Sequence, residues 1–134
     1  MSAIVIDTHI LIWMLTNSAN LSIAASLAIN QAEITNSKIY VSAISLVEIR
    51  YLIEKGKFID SLFDEVVDLL ENTDELLSLS ILGLPEAKVI EAINRNVVPD
   101  MPDRIIAATA FSLGLPLISA DHKIQALSVI KVIW

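Results

Sequence analysis

The sequence predicts one α/β domain over residues 1–134, a three-layer α/β/α sandwich with a mostly parallel central sheet of about five strands. Short apolar runs alternate with longer segments whose apolar residues recur at helical spacing, and this alternation favours parallel strands. The hydrophobic fraction is 54%, above the roughly 45–50% of ordinary soluble domains, as a sheet covered on both faces requires. A chain of 134 residues has room for one core.

The first third of the chain predicts two strands and two helices. The apolar run at residues 3–6 predicts a central strand that ends at Asp7. Thr8 is suited to cap a helix over residues 9–15, and a polar loop follows it. The Ala-rich spacing of residues 21–32 favours a second helix. Residues 38–41 predict the second strand.

The middle of the chain predicts two helices, a strand and a further helix. We expect a helix over residues 42–54 with Gly56 as its stop. Residues 60–71 predict an acidic amphipathic helix, and residues 76–82 predict the third strand. Pro85 then opens a helix that runs to about residue 94, since proline is favoured at a first helical position.

The last third has an acid at each end of an uncharged stretch. Residues 105–120 carry no charge and predict a buried helix over 105–113, a turn and a strand over 117–119. Asp103 stands at the start of that helix, and Asp121 stands just past the strand. A stretch this apolar belongs in the interior, so both carboxylates are fixed to a rigid frame. Residues 130–133 predict the last strand.

Composition excludes several classes of site. The absence of cysteine rules out disulfides and thiolate metal sites, and only two histidines argue against a His-rich zinc site. The uncharged stretches are broken or too short for a membrane span, and Asp7 comes too early for a signal peptide. We therefore expect a cytoplasmic protein with no membrane contact.

The net charge of −7 is unevenly placed. Seven of the 16 acids lie in residues 60–75, where there is no Lys or Arg, and the other nine balance nine basic residues. We interpret this segment as a solvated helix face, with a docking face for a basic partner as the alternative.

Four acids occupy equivalent places in the predicted topology: Asp7, Glu48, Asp103 and Asp121. Ligands of an open parallel sheet bind outside the carboxyl ends of its strands, where all four side chains can converge. Each acid alone has a structural explanation, such as a helix cap, or a capping box in which Glu48 folds back on the Ser45 amide. Together they would repel, by roughly 4 kcal/mol for two carboxylates about 4 Å apart. Such a cluster must hold protons or bind a cation, and its hard oxygen ligands suit magnesium or manganese.

Three segments resemble the PIN domain, a family of metal-dependent ribonucleases, and most closely its VapC-type toxins. They are IVIDTHILIW, VSAISLVEIRYL and PDRIIAATAFSLGLPLISADHKI, and they cover the chain in the family's order. The resemblance implies that Asp7, Glu48, Asp103 and Asp121 bind one or two Mg²⁺ or Mn²⁺ ions. It also implies a hydroxyl near the metals, for which Thr8 or Ser45 is suited and Ser42 less so. Asp100 is an extra acid beside the site, and Arg104 is either a phosphate contact or a structural ion pair.

The resemblance further implies hydrolysis of RNA by metal-activated water, with no side-chain nucleophile. It implies a homodimer and a small VapB-like antitoxin. The helices near residues 21–32 and 45–54 carry more apolar residues than one buried stripe needs, so we expect a groove between them to receive an antitoxin segment or the surplus to form the homodimer interface. The alternatives are a PIN nuclease of RNA processing or decay without an antitoxin, and a catalytically silent module that binds RNA or protein. A pI of about 4.6 fits RNA binding poorly, because nucleic-acid sites are usually basic.

We expect the remaining notable side chains to be structural. His9 and His122 are candidates for proton transfer, but for His122 we prefer an exposed loop position. Trp13 is expected in the core, and Trp134 is expected to pack the chain terminus.

Overall fold

The computed structural model describes residues 2–72, 77–80 and 83–134. The strands β1–β5 are Ile4–Ile6, Ile39–Ser42, Leu77–Ser80, Leu117–Ile118 and Val132–Ile133. The helices α1–α7 are Thr8–Leu15, Ile23–Ile34, Ala43–Glu54, Ser61–Asn72, Leu84–Val89, Met101–Leu113 and His122–Gln125, and a 3-10 helix spans Ile90–Ala92.

The five strands form one sheet in the order β3-β2-β1-β4-β5, and every neighbouring pair is parallel. The predicted fold class is thus confirmed. The central strand, β1, pairs with β2 through Ile4 and Ile39 and with β4 through Val5 and Leu117. Because the strand order reverses on leaving β1, a crevice opens between the carboxyl ends of β1 and β4, the usual ligand position in such sheets.

The sheet separates two apolar cores. Ile4 and Ile6 of β1 face a core built with α1, α2, α3 and α4, whereas Val5 faces the opposite core with α6 and α7. Successive residues of a strand point to opposite faces, so this alternation places helices on both sides of the sheet. All three residues of β1 are buried, as a central parallel strand requires.

Two of the helix starts that differ from the sequence prediction involve the candidate acids. α1 begins at Thr8, and Asp7 rather than Thr8 is its N-cap, accepting the Thr8 N–H at 2.8 Å. α6 begins at Met101 rather than at residue 105, because Pro102 is tolerated in a first helical turn. Asp103 therefore lies inside the first turn, not at its cap.

Smaller elements also depart from prediction. The helix opened by Leu84 and Pro85 becomes a 3-10 helix after Val89, and α7, with only four residues, was not predicted. The third strand covers Leu77–Ser80, and the predicted ends at residues 76, 81 and 82 lie outside the described residues. The predicted helix stop at Gly56 is confirmed, since Gly56 adopts a φ of 76°, and Gly114, in the predicted turn, ends α6 with a φ of 67°.

The acidic helix is amphipathic as predicted. On α4, Leu62 and Val66 are buried, while Asp64, Glu65 and Asp68 are exposed. The acids of residues 60–71 are exposed, as both a solvated face and a docking face require, whereas Asp74 and Glu75 lie outside the described residues. Within the ranges that the structure describes, no helix has the length and apolar character needed to cross a membrane.

Candidate active site

A cavity of about 390 Å³ opens at the carboxyl edge of the sheet. Its lining comes from the ends of β1 and β4, from α1, from α3 and from the first turn of α6: Asp7, Thr8, His9, Trp13, Glu48, Asp103, Ala120 and Asp121. The structure thus brings together the four acids that the sequence singled out. Their elements are far apart along the chain, so the parallel sheet alone makes them neighbours.

Asp7 is the most deeply buried of the four acids, with 7% of its surface exposed. Its Oδ1 accepts the Thr8 N–H at 2.8 Å, and its Oδ2 accepts the Ser119 hydroxyl at 2.7 Å. Ser119 follows β4 and in turn accepts the Asp121 N–H at 3.1 Å. These bonds tie the end of β1 to the end of β4 across the crevice.

Sequence reasoning missed Ser119. Its signal was present, because it is a hydroxyl between an apolar strand and an acid, at the edge where the site was expected. It is fully buried, as a side chain that bonds a buried carboxylate must be.

Glu48 is held by the start of α1. Its Oε1 accepts the Thr8 hydroxyl at 2.5 Å, and the same Thr8 oxygen lies 2.9 Å from the Ser45 hydroxyl. The capping-box interpretation is therefore wrong, because Glu48 points to Thr8 and the N-cap position of α3 is Ser42, one turn earlier. Thr8 lines the cavity, whereas Ser45 is buried behind it.

Asp121 has two roles, one in a helix cap and one in the cavity. It is the N-cap of α7, with Oδ1 accepting the Lys123 N–H at 2.7 Å, and it lines the cavity. Capping and site membership, which the sequence left as alternatives, are compatible here.

Asp100 and Arg104, the two further residues that the sequence placed beside the acids, do not line the cavity. Asp100 is exposed at the N-cap position of α6. Arg104 donates from Nη2 to the Ile90 carbonyl at 3.4 Å and borders a different cavity. An ion pair of Arg104, one of its two expected roles, is absent among the described contacts.

The cavity is electrostatically unfavourable for its own acids. Burial raises the pKa of Asp7 and of Glu48, although hydrogen bonds from Ser119 and Thr8 oppose the rise. Burial, followed by the charges of Asp7, Glu48, Asp121 and Asp100, raises the pKa of Asp103 to about 7. A bound cation would reverse these pKa shifts by neutralising the shared negative field.

The donor chemistry of the cavity suits a hard divalent ion. Carboxylate and hydroxyl oxygens are the ligands of Mg²⁺ and Mn²⁺, and the cavity contains no thiolate. Over the described ranges, no three acidic or histidine side chains stand at the spacing of a formed metal centre. The carboxylates of all four acids line one common space.

An aromatic wall closes one side of the cavity. His9 and Trp13 lie one turn apart on α1 with ring centroids 6.0 Å apart, and Trp13 contacts Trp134 at 5.8 Å. Trp13 is half-buried and packs against the core, as expected, and it also lines the cavity. His122 is exposed on α7 and does not line it.

The comparison that decides the family covers nearly the whole chain. The family model described as PIN domain matches residues 4–130. The chain belongs to the PIN domain family. The acid-lined cavity therefore lies at the carboxyl edge of a PIN-family sheet.

Known relatives agree with that membership. "Ribonuclease VapC22" of Mycobacterium tuberculosis (strain ATCC 25618 / H37Rv) is 28% identical over 126 residues, which is 94% of this chain and 92% of the relative. Two solved structures share the fold of this PIN domain. VapBC2 from Rickettsia felis, bound to a promoter DNA fragment, has a TM-score of 0.70 and 15% identity, covering 97% of this chain and 96% of its own. DNA-bound VapBC from Salmonella typhimurium has a TM-score of 0.70 and 19% identity, covering 98% and 97%.

Proposed function

We propose that this PIN domain is an endoribonuclease that depends on Mg²⁺ or Mn²⁺ and acts as the toxin of a toxin–antitoxin pair. The observation that carries the proposal is the single cavity in which Asp7, Glu48, Asp103 and Asp121 meet at the carboxyl edge of a PIN-family sheet. The relative named as a ribonuclease, which this chain matches over 94% of its length, supports the same activity.

In this proposal the four acids hold one or two divalent ions. Asp7 supplies a carboxylate from the end of β1, Glu48 from α3, Asp103 from the first turn of α6 and Asp121 from the start of α7. A bound ion would supply Lewis-acid activation of water and neutralise charge on the phosphate under attack. The same four carboxylates would repel RNA without it, so binding of substrate and of ion are coupled.

The remaining polar residues orient the acids. The Ser119 hydroxyl holds Oδ2 of Asp7 and the Thr8 N–H holds Oδ1, which fixes this carboxylate at the wall of the cavity. Thr8 donates to Glu48 Oε1 and fixes that side chain across the gap between α1 and α3. Such outer hydrogen bonds set the direction and basicity of metal-binding carboxylates.

An antitoxin partner is supported by exposed apolar side chains on α2 and α3. On α2, Ile23, Leu27 and Ile34 are 82%, 63% and 80% exposed, and on α3 Val47 and Tyr51 are 62% and 56% exposed. Apolar strips of this kind mark surfaces that bind another chain. Solved VapBC complexes with the same fold support a VapB-like protein as the partner, and a second copy of this chain is proposed as a further one.

The test of the nuclease proposal is cleavage by the purified chain. With Mg²⁺ or Mn²⁺ we expect endonucleolytic products of single-stranded RNA, no activity after thorough chelation, and recovery when metal is restored. Asp7→Asn should reduce cleavage by at least two orders of magnitude, because it removes a charged ligand. Asp64→Asn, an exposed acid on α4, is the matched control and should cleave normally. Undiminished cleavage in chelator, or by Asp7→Asn, would disprove the site.

A further inference from the structure

A second, larger cavity lies beside the acid-lined one. It measures about 670 Å³ and is formed by the chain that follows α5, by the first turn of α6 and by the loop before β5. Its polar lining includes Glu91, Asn94, Arg95, Asn96, Arg104 and Ser128. Two guanidinium groups against one carboxylate make it a locally cationic surface on a chain of net charge −7.

Arg104 has unused donors at this cavity. Its Nε is buried without a hydrogen-bond partner, and its one described bond is the 3.4 Å contact from Nη2 to the Ile90 carbonyl. A guanidinium carries five N–H donors and is always charged, so a buried unpaired Nε–H is costly. The weak contact to Ile90 leaves the side chain free to turn toward an anion, which would pair with Nε and a terminal nitrogen together.

The neighbouring polar groups also offer donors. The side-chain oxygen of Asn94 accepts the Asn96 N–H at 2.8 Å, which leaves the Asn94 amide nitrogen to donate outward. Arg95 is exposed on the same rim. This combination suits the oxygens of a phosphate diester better than a neutral ligand.

We propose that this second cavity binds an RNA backbone phosphate next to the one positioned at the acids, with Arg104 and Arg95 as its ligands. The inference rests on the proposed nuclease function. Asp103 lines the acid cavity and Arg104, the next residue of the same helical turn, lines the second one. An RNA strand held at Asp103 therefore reaches the arginines by continuing along the adjacent face of α6. The two cavities therefore have different roles in RNA binding. The acids act at the scissile phosphate, and the arginines hold the RNA strand despite the acidic surface of the chain.

Binding of a fluorescent 12-nucleotide single-stranded RNA tests the proposal, measured by anisotropy with Mg²⁺ at low salt, with every variant made in the Asp7→Asn background so that the RNA is not cleaved. Arg95→Gln and Arg104→Gln should each weaken binding about three- to tenfold, and each should lower the slope of log affinity against log salt by about 0.7, the value for one phosphate contact on a single strand. Lys57→Gln removes an equal charge from an exposed position outside both cavities and should change neither quantity.

Thermal melts separate binding from folding. Arg95 is exposed, so Arg95→Gln keeps the test valid if Arg104→Gln unfolds the first turn of α6. Wild-type affinity in both arginine variants, or the same loss in Lys57→Gln, would overturn the proposal. Millimolar inorganic phosphate should compete with RNA less in the arginine variants than in the protein that keeps both arginines. If phosphate weakens RNA binding equally in all variants, the proposal is also overturned. If Asp7→Asn abolishes cleavage while both arginine variants bind RNA normally, this inference fails and the nuclease proposal stands.

Discussion

Asp103 is the acid whose charge its surroundings stabilise least. Ser119 and Thr8 donate to Asp7 and Glu48, whereas no donor to the Asp103 carboxyl is found in the part of the chain that the structure describes. Burial and four neighbouring acids raise its pKa to about 7. An acid in this environment lowers the stability of the fold and is typical of a functional site. Its charge has a use only when a cation or substrate shares the cavity.

Replacing Asp103 by Asn should therefore stabilise the metal-free protein while abolishing cleavage. The substitution keeps the shape and removes a charge that Asp7 and Glu48 repel. We expect a gain of roughly 1 kcal/mol at pH 8, a value reduced for the solvent that reaches this carboxyl, and so a melting temperature about 3–5 °C higher. Melts in chelator measure it, with Asp64→Asn as the exposed-acid control. A lower melting temperature would contradict a crowded acidic cavity.

The pH dependence of stability follows from the same pKa shift. The folded-state pKa of Asp103, about 7, lies above its unfolded value of 3.8, so the folded state binds the proton more tightly between these values. Stability of the metal-free wild type therefore falls as pH rises from about 4 to about 7 and levels off above that. Asp103→Asn should show a shallower fall, with the two proteins closest near pH 4. Urea unfolding at each pH measures the stability of both proteins. If stability falls equally with pH in the wild type and in Asp103→Asn, Asp103 is not the cause of the fall.

At this scale the sequence predicted the charged members of the site and the Thr8 hydroxyl, but it missed Ser119. Asp7, Glu48, Asp103 and Asp121 stood out because each follows a strand or opens a helix beside a charge-free segment. Ser119 did not, because a lone serine gives no signal until β4 is known to lie beside β1. The orientation of Glu48 also depends on tertiary contact, since Thr8 reaches it from a segment 40 positions earlier.

At the scale of elements, the crevice between β1 and β4 depends on Ser119. Its hydroxyl bonds the Asp7 carboxylate at 2.7 Å and accepts the Asp121 N–H at 3.1 Å, so one side chain joins two acids from different elements. Ser119 is a positioning residue rather than a metal ligand in this arrangement.

Ser119→Ala should lower both stability and metal affinity. Loss of a buried hydrogen bond to a carboxylate costs about 1.5–3 kcal/mol, and loss of an outer-sphere partner weakens metal binding about 10–100-fold. Calorimetry with Mn²⁺ and the Mn²⁺ concentration needed for half-maximal cleavage measure the second effect. High Mn²⁺ should restore most of the rate, which a merely unfolded variant would not allow. Ser112→Ala, at an exposed position of α6, should leave both quantities unchanged.

Secondary structure was predictable where it was long and periodic, and less so at short capped elements. The buried part of α6 and the acidic α4 follow from their patterns. The four-residue α7 does not, because its stability comes from the Asp121 cap and from burial of Ile124 rather than from helix propensity. The first turn of α6 was not predicted, because Pro102 and its charged neighbours Asp100, Asp103 and Arg104 are typical of a loop.

For the whole molecule, the surface divides by chemistry. Exposed acids cover α4, exposed apolar side chains lie on α2 and α3, and the arginines border the second cavity. A groove between α2 and α3 was expected from their composition. α2 packs chiefly on β1 and β5, whereas α3 packs on α1, α4 and α6, so the two apolar strips belong to separate helices.

Growth of the host tests the toxin assignment and its partner together. Induced alone, the chain should arrest growth, and co-expression of the small adjacent gene should restore growth and co-purify a complex. Asp7→Asn should not arrest growth, yet it should still bind the partner, because the acid cavity and the apolar strips are separate surfaces. Arrest by Asp7→Asn would disconnect toxicity from the proposed site.

Substitutions in the exposed apolar strip of α2 test directly whether this surface binds the partner. Leu27→Glu places a charge on a side chain that is 63% exposed, so the fold and the arrest should persist while rescue by the partner weakens at least tenfold in the dose required. Gln31→Glu adds the same charge one turn away on the same exposed side without removing an apolar contact, and it should be rescued almost normally. Equal rescue of both variants would place the antitoxin elsewhere. A chain that arrests nothing and binds no neighbour-encoded protein, with all four acids intact and RNA cleavage measurable, would indicate an RNA-processing nuclease instead.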